Sequence, residues 1–203
     1  LAWFRNARVG LFVHWGLYSA LGRGEWAMSR ECIPWADYRP LLDQFTADRY
    51  DPKAWAAMAR DAGMRYAVLT SKHHEGFCLW DSKRCDFNAT ASAAKRDVFA
   101  EYVDAFRDAG LKVGAYYSLG DWLNPDWIAG SHGDEQAEHR FMQYTHELVH
   151  ELVDGYDLDV LWYDLPQNYT ADQWRSVELN ASVRAKRPSI LINNRAMTTE
   201  DFA

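Results

Sequence analysis

The chain has 203 residues, of which 48% are apolar and 25% are charged; this composition excludes a disordered chain and is typical of one globular domain with a sizeable core. Its 29 acidic and 22 basic residues give a net charge of −7 without a basic cluster, which argues against a nucleic-acid partner. No apolar run is long enough to cross a bilayer, so the sequence predicts a soluble chain without a membrane partner.

The predicted elements begin with a strand at 9–13, which leads into His14. A long irregular loop, interrupted by glycine and proline, is predicted from 17 to 48, and loops of this length are usually functional. A helix follows, because Asp51 is a capping residue, a proline occupies the first helical position, and Gly63 provides a stop after an apolar pattern with helical spacing.

Strands and helices alternate along the rest of the chain. The same signals predict strands at 66–70, 112–118, 158–163 and 189–193, and helices at 97–109, from about 141 to 155, and at 170–185. No Gly-x-Gly-x-x-Gly or P-loop sequence follows a strand, which disfavours nucleotide binding. The alternation predicts a parallel sheet covered by helices, either an open doubly wound sheet or a barrel.

A barrel would be incomplete in this chain. A full (β/α)8 barrel usually needs about 250 residues, whereas the sequence of 203 residues contains five predicted strands. A five-stranded piece leaves two edges unpaired, and unpaired edges promote association. We therefore expect either that the sequence is a fragment, or that further copies in a homo-oligomer or a second chain complete the sheet.

Polar or aromatic residues follow every predicted strand. Active sites of α/β barrels lie at this end of the strands, and five such strand ends together favour an active-site rim over isolated core or capping residues. We identify Asp164 as the candidate nucleophile; the alternative is that it caps the turn after its strand. The residues at the strand ends are His14-Trp15, His73-His74-Glu75, Tyr116-Tyr117, Trp162 with Asp164, and Asn193-Asn194-Arg195.

Two of the polar residues have an aromatic residue two positions earlier. Because side chains alternate along a strand, Phe12 shares a face with His14, and Trp162 shares a face with Asp164. This spacing predicts an apolar notch beside polar groups, which would accept a methyl group on an otherwise polar ligand. The alternative is that both aromatic residues belong to the core of the barrel.

A metal site is a second interpretation of the strand ends, since His14, His73, His74 and Asp164 are all metal-ligand types. Barrel metal sites often pair two histidines at alternate positions of one strand. The adjacent His73 and His74 would point to opposite faces if their strand continued, so the spacing argues against a metal. We assign no metal ligand.

Six sequence blocks, in order, resemble the α-L-fucosidases of glycoside hydrolase family 29. They are FVHWGLYS at 12–19, GEW at 24–26, KHHEGFCLWDS at 72–82, GLKVGAYYS at 110–118, WYD at 162–164 and NNR at 193–195. The blocks span nearly the whole chain, and six ordered blocks are far more specific than any one of them.

The resemblance implies an α/β fold of the (β/α)8 TIM-like type, usually followed by a β-sandwich domain. Residues 1–203 are expected to form one catalytic barrel domain, incomplete at its C-terminus, with about five β/α units and no second domain within this chain. The resemblance also implies removal of α-linked L-fucose from a fucoside or fucosylated glycan, with retention of configuration, through a covalent intermediate on Asp164 and without a cofactor. The sequence assigns no compartment, and the resemblance is compatible with a secreted, periplasmic or lysosomal protein. The implied substrate-binding residues are His14, Glu25, Trp26, His73, His74, Tyr116 and Arg195, with Phe12 and Trp162 around the C6 methyl group.

The acid/base glutamate that the resemblance implies is not found in the chain. In many family members it follows a stretch of the form Asp-Phe-x-x-x-Glu, and here the sequence ends at 201–203 with DFA. Glu25 is interpreted as a hydroxyl-binding residue and Glu200 as a solvated loop charge; neither these residues nor Glu75 occupies the motif position. A metal-dependent barrel hydrolase and a catalytically inactive fucose-binding domain remain the alternative functions.

Overall fold

In the computed structural model, which describes residues 1–203, five strands form a single sheet in the order of the chain. Every neighbouring pair is parallel, as predicted. The strand order never reverses, unlike that of a doubly wound sheet, and the first and last strands are open edges. The strands are β1 (Leu11–Val13), β2 (Tyr66–Lys72), β3 (Lys112–Ser118), β4 (Val160–Asp164) and β5 (Leu191–Ile192).

Nine α-helices and three short 3₁₀ helices connect and cover the strands. None of them combines the length and apolar character needed to cross a membrane. The 3₁₀ helices are Leu17–Ala20, Arg39–Gln44 and Asn194–Ala196. The α-helices are α1 (Ala2–Ala7), α2 (Ala27–Arg30), α3 (Trp35–Tyr38), α4 (Pro52–Asp61), α5 (Val98–Asp108), α6 (Pro125–Ser131), α7 (Glu135–Gly155), α8 (Ala171–Trp174) and α9 (Ser176–Lys186).

The predicted helix starts are confirmed by their caps. The Asp51 carboxylate accepts the backbone N–H of Ala54 at 2.9 Å at the start of α4, and Asp97 accepts that of Ala100 at 2.7 Å at the start of α5. Thr170 forms the predicted capping box of α8. Each cap satisfies backbone donors that have no partner inside the helix.

The predicted helix at 170–185 is wrong as one element, because it breaks at Arg175 into α8 and α9. Arg175 has a left-handed backbone with φ of 51°, which a continuous helix does not allow. The preceding Trp174 is buried, its indole N–H donates to the Pro166 carbonyl at 2.9 Å, and His146 of α7 contacts its carbonyl at 2.9 Å. Tertiary contacts therefore replace the helical bonds at this point.

Other boundaries also differ from the prediction. The predicted loop at 17–48 contains two 3₁₀ helices and the short helices α2 and α3, so it is not irregular throughout. The predicted strands at 9–13 and 189–193 shorten to β1 and β5. Both are edge strands with one neighbour each, so fewer ladder hydrogen bonds are available to extend them.

The two faces of the sheet pack against different parts of the chain. On one face, alternate strand residues such as Leu69, Ala115 and Leu161 join the main core with the apolar sides of α4, α5, α7 and α9. On the other face, a smaller cluster is covered by α1 and by Phe202; its members are Val68, Tyr116, Val160 and Leu191, with Trp3, Phe4, Tyr66, Trp162 and Phe202 packed against them. The long helices thus lie on a single face, and the other face leads up to the predicted site.

Candidate active site

The register of the sheet brings the predicted site residues of β3 and β4 side by side. Tyr116 pairs with Trp162, and Ser118 pairs with Asp164. The Tyr116 and Trp162 rings stack with centroids 5.4 Å apart. Both residues lie on the face of the sheet that carries the smaller cluster, and Trp162 precedes Asp164 by two positions, so the two rings form the floor beneath Asp164.

The Asp164 carboxylate is held by two side chains. Oδ2 accepts the hydroxyl of Tyr116 at 2.8 Å, and Oδ1 accepts the guanidinium of Arg195, which follows β5. His74 Nε2 lies 4.0 Å from Oδ2. The side chain is 17% exposed, so the carboxylate is oriented by its neighbours and still reaches the surface.

The pKa of Asp164 lies below its ordinary value. Burial alone raises this pKa, but hydrogen bonds from the Leu165 backbone N–H and the Tyr116 hydroxyl, together with the charge of Arg195 and the contribution of His74, outweigh it. The Leu165 contribution shows that the carboxylate also lies against the backbone of the turn after β4. Asp164 is ionised at neutral pH.

The backbone turns sharply after Asp164. Leu165 has φ of 51°, in the left-handed region that a leucine rarely adopts, and the Asp164 carbonyl accepts the N–H of Leu119 at 2.8 Å. Strained residues of this kind persist only where the surroundings hold them, and they are frequent at active sites. The strain and the hydrogen bond fix the end of β4 against the end of β3.

His73 and His74 both enter the site, although their adjacency predicted opposite faces. The β2 ladder slips between Thr70 and Lys72 and the strand ends there, so strand alternation no longer applies. The two rings lie on the same side, with centroids 3.9 Å apart. His73 Nδ1 contacts Glu75 Oε2 at 3.2 Å, whereas His74 Nδ1 contacts Ser118 Oγ at 2.8 Å.

Both histidines are neutral. Burial is the main cause of the low pKa of His73, which is about 3, and the nearby His14 lowers it further. Burial likewise lowers the pKa of His74, followed by the neighbouring His73 and opposed by Asp164. A neutral imidazole offers one N–H donor and one acceptor, which suits contacts with the hydroxyl groups of a ligand.

An aromatic wall borders Asp164. Phe12 meets Trp162 edge to face at 5.2 Å, and the Arg195 guanidinium carbon lies 4.9 Å from the Trp162 ring centre. Phe12 is 42% exposed, so its face is available beside the carboxylate. His14 joins the wall at 5.3 Å from Phe12 and 5.2 Å from Tyr116. Phe12 and Trp162, which alternation placed below His14 and Asp164, thus form one apolar surface beside the carboxylate.

Glu25 and Trp26 reach the site from the segment before α2. The Trp26 ring lies 5.2 Å from His74. Burial lowers the pKa of His14, and the negative charge of Glu25 is the first of the opposing effects. Both side chains are half-buried, and they border the site beside His74 and His14.

Trp122 was not included among the predicted site residues. Its ring lies 4.9 Å from Trp26 and 5.1 Å from His74. It follows the end of β3, so the strand-end pattern that identified the other residues would have found it. Tyr18, from the first 3₁₀ helix, contacts His73 at 5.2 Å and carried no such signal, because it lies outside any strand end.

Glu200 is not a solvated loop charge, and that interpretation is wrong. Its carboxylate accepts Arg184 at 2.7 Å and Asn180 at 2.8 Å, and the side chain is 12% exposed. Asp201 accepts the same arginine and the Ile192 backbone N–H. These contacts tie the segment after β5 to α9.

The effect of the Tyr116 hydrogen bond on the pKa of Asp164 can be tested by substitution. Replacing Tyr116 by phenylalanine removes a hydrogen bond that lowers the pKa of Asp164, so we expect this pKa to rise. Tyr117→Phe is the matched control, since the neighbouring hydroxyl is buried without a hydrogen-bond partner. An NMR titration of the Asp164 carboxyl group measures the pKa in both variants, and an unchanged pKa in the Tyr116 variant would contradict the arrangement.

No group of three or more His, Cys, Asp or Glu side chains in residues 1–203 is arranged to hold a metal ion. His73, His74 and Asp164 use their polar atoms in contacts with Glu75, Ser118, Tyr116 and Arg195, whereas His14 meets Phe12, His73 and Tyr116 through its ring. Three of the four residues considered as alternative metal ligands thus lie in a hydrogen-bonded cluster, and His14 packs beside them.

A protein-family model described as Alpha-L-fucosidase matches residues 1–202. Tissue alpha-L-fucosidase from Rattus norvegicus is 31% identical over 213 residues, which cover 95% of this chain and 46% of the rat protein. The solved structure of alpha-L-fucosidase isoenzyme 1 from Paenibacillus thiaminolyticus superposes with a TM-score of 0.89 at 44% identity, covering 96% of this chain and 50% of that one.

A second similar structure was solved as a covalent intermediate. The Bacteroides thetaiotaomicron GH29 alpha-L-fucosidase, solved as a trapped covalent intermediate with 2-fluoro-fucosyl fluoride, superposes with a TM-score of 0.84 at 33% identity, covering 95% of this chain and 48% of that one. The chain thus spans about half the length of the curated relatives it matches. Since the family model matches all but one of its 203 residues, the chain belongs to the alpha-L-fucosidase family.

Proposed function

We propose that this chain carries the nucleophile and most of the sugar site of a retaining exo-acting α-L-fucosidase, and that its sheet is part of a (β/α)8 catalytic barrel. The observation that carries the proposal is Asp164, an ionised carboxylate at the end of β4, held by Tyr116 and Arg195 beside an aromatic wall. The sequential strand order and the long helices on one face support the barrel.

The contacts of Asp164 suit a nucleophile. In a retaining glycosidase one carboxylate attacks the anomeric carbon to form a glycosyl-enzyme, and a second carboxyl group protonates the leaving oxygen and then activates water. Tyr116 and Arg195 keep Asp164 ionised and direct its oxygens. Their two hydrogen bonds restrict rotation of the carboxylate. The attacking oxygen is therefore already oriented, and little conformational entropy is lost on reaching the transition state.

Glu75 and Glu200 are not available as the acid/base. Glu75 is buried against His73, and Glu200 is paired with Arg184. Glu25 is half-buried at the edge of the site, and we keep it as a ligand for sugar hydroxyls. An aryl fucoside has a good leaving group and needs less help from an acid, so its cleavage reports on Asp164 directly.

The walls of the site suit a 6-deoxy sugar. Hydroxyl groups of L-fucose would be held by His14, Glu25, His73, His74 and Arg195, with Trp26 and Tyr116 against the ring. The C6 methyl group would lie against the apolar surface that the contacting Phe12 and Trp162 rings form together. Burial of one methyl group is worth roughly 1–3 kcal/mol in a fitted pocket, which is enough to favour fucose over a sugar that lacks it.

The proposal is tested by trapping the intermediate. With 2-fluoro-fucosyl fluoride we expect a covalent adduct on the peptide that contains Asp164, located by mass spectrometry, and unchanged trapping in the presence of a strong chelator. Loss of labelling on chelation would instead support a metal-dependent hydrolase. Tight binding of fucose without labelling or turnover would support an inactive fucose-binding domain, and a label on another residue would overturn the assignment of Asp164.

A further inference from the structure

Glu75 is a buried carboxyl group that the proposed mechanism does not use. Its side chain is 1% exposed, and Oε2 lies 3.2 Å from His73 Nδ1. The other oxygen, Oε1, is buried without any hydrogen-bond partner. If the carboxyl group were ionised, half of its charge would lie on Oε1, which no donor stabilises. Placing charge on a buried oxygen without a donor raises the free energy of the folded protein.

The surroundings of Glu75 favour its neutral form. Burial raises its pKa to about 8, although its own backbone N–H, the charge of Lys72 and His14 lower it in part. Lys72 lies 3.8 Å from the carboxylate of Asp121 and donates to two backbone carbonyls, at 3.0 and 3.2 Å, so its charge is shared among several acceptors. The remaining ionisable groups around Glu75 are Tyr18, Tyr38, Tyr116 and Asp121, all with raised pKa values from burial.

The contact with His73 has a consequence for the imidazole. Since Oε1 has no acceptor nearby, the carboxyl proton is best placed on Oε2, from which it donates to Nδ1. Nδ1 is then the acceptor, and the ring proton of the neutral His73 must lie on Nε2. His73 stacks on Tyr116 at 5.7 Å and touches His14 at 5.6 Å, so its ring belongs to the sugar-facing wall.

We propose that Glu75 is a positioning residue, which as a neutral acid holds His73 in the Nε2–H tautomer and so makes it a hydrogen-bond donor to a hydroxyl oxygen of the fucoside. This inference rests on the proposed function for the identity of the ligand. When Glu75 loses its proton, the proton that remains in the pair moves to Nδ1, where it bonds the carboxylate, and Nε2 becomes an acceptor. The donor to the sugar is lost.

The effect on activity is a change in KM with alkaline pH. For an aryl α-L-fucoside we expect KM to rise as Glu75 ionises around pH 8, with a smaller change in kcat. Glu75→Leu should raise KM about tenfold already at pH 6.5, since one hydrogen bond to the ligand loses its orientation. Glu75→Gln, whose amide donates to Nδ1 at every pH, should restore most of this loss and abolish the alkaline rise of KM.

Tyr38→Phe is the matched control. This substitution also removes a buried oxygen near Glu75, since the Tyr38 hydroxyl has no hydrogen-bond partner. Tyr38 makes no contact with His73, so neither KM nor its pH dependence should change. If Glu75 acted only by filling space, the leucine variant would retain KM and the glutamine variant would keep the alkaline rise. Either of those results would overturn the proposal.

The tautomer is measured without any turnover. The ¹⁵N shifts of His73 in the free protein should report Nε2–H at pH 6.5 and Nδ1–H above the pKa of Glu75, and only Nε2–H in Glu75→Gln. An Nδ1–H ring at pH 6.5 would refute the role of Glu75 even in an active enzyme. Conversely, a protein could show the expected ¹⁵N shifts and still fail to cleave fucosides. That result would support the tautomer assignment and contradict the proposed function.

Discussion

Replacing Asp164 by glycine is expected to lower kcat for an aryl α-L-fucoside by about 10⁴-fold or more, in line with the loss of nucleophiles in other enzymes that form covalent intermediates. The carboxylate is the only group at the end of β4 that Tyr116 and Arg195 orient together. Its removal leaves both donors without their acceptor and leaves the anomeric carbon without an attacking oxygen. Steady-state kinetics on the purified variant measures the loss.

A small anion distinguishes a lost nucleophile from a damaged fold. The space left by the Asp164 side chain would admit azide, and attack by azide should restore turnover and give a fucosyl azide of inverted configuration. Asp86→Gly is the control, because the Asp86 side chain is 93% exposed. Turnover of the Asp164 variant at the wild-type rate, or failure of azide to restore any rate in a protein that still binds fucose, would contradict the assignment.

The largest effect on stability is expected from Gly76→Ala. Gly76 follows the His73-His74-Glu75 run with φ of +85°, and an added Cβ would lie 2.6 Å from Oδ1 of Asp121. The left-handed backbone alone costs roughly 1–2 kcal/mol in a residue with a side chain. Asp121 has no room to retreat, because it is buried and its Oδ1 accepts the N–H groups of Leu123 and Asn124 at 3.1 Å each. We expect a total loss of about 3 kcal/mol or more.

Gly63→Ala separates the two contributions. Gly63 has nearly the same backbone, with φ of +82°, but an added Cβ would meet nothing within 4 Å. Its free energy of unfolding, measured by urea denaturation alongside Gly76→Ala, should fall by the backbone cost alone. Equal losses in the two variants would show that contact with Asp121 contributes nothing. A larger loss at Gly76 would confirm that a charged group from the end of β3 packs against the turn after β2.

Patterns that depend on neighbouring residues were predicted well from the sequence. The capping side chains Asp51 and Asp97 start their helices as expected, because a cap bonds donors only two or three residues away. Tyr116 and Asp164 meet at the ends of adjacent parallel strands for a similar reason. Alternation and strand order are local rules, and they bring strand ends to one edge of the sheet.

Errors arose where distant contacts outweigh local preference. The helix expected at 170–185 breaks because Trp174 is drawn into the core by Pro166 and His146, neither of which a helical pattern includes. Glu200 was expected in solvent, but it lies against Arg184 of α9. In each case the partner is distant enough in sequence that spacing does not reveal it.

By itself, the sequence determined the α/β alternation, the set of strand-end residues and the family to which the chain belongs, because these follow from short-range patterns and ordered motifs. Only the tertiary structure decided that His73 and His74 share one side of the site, since this depends on where the β2 ladder slips and ends. The tertiary structure likewise decided which groups hold the Asp164 carboxylate and that Glu75 is buried beside His73. The charge and tautomer of such groups depend on burial and on partners from separate strands, which no stretch of sequence contains.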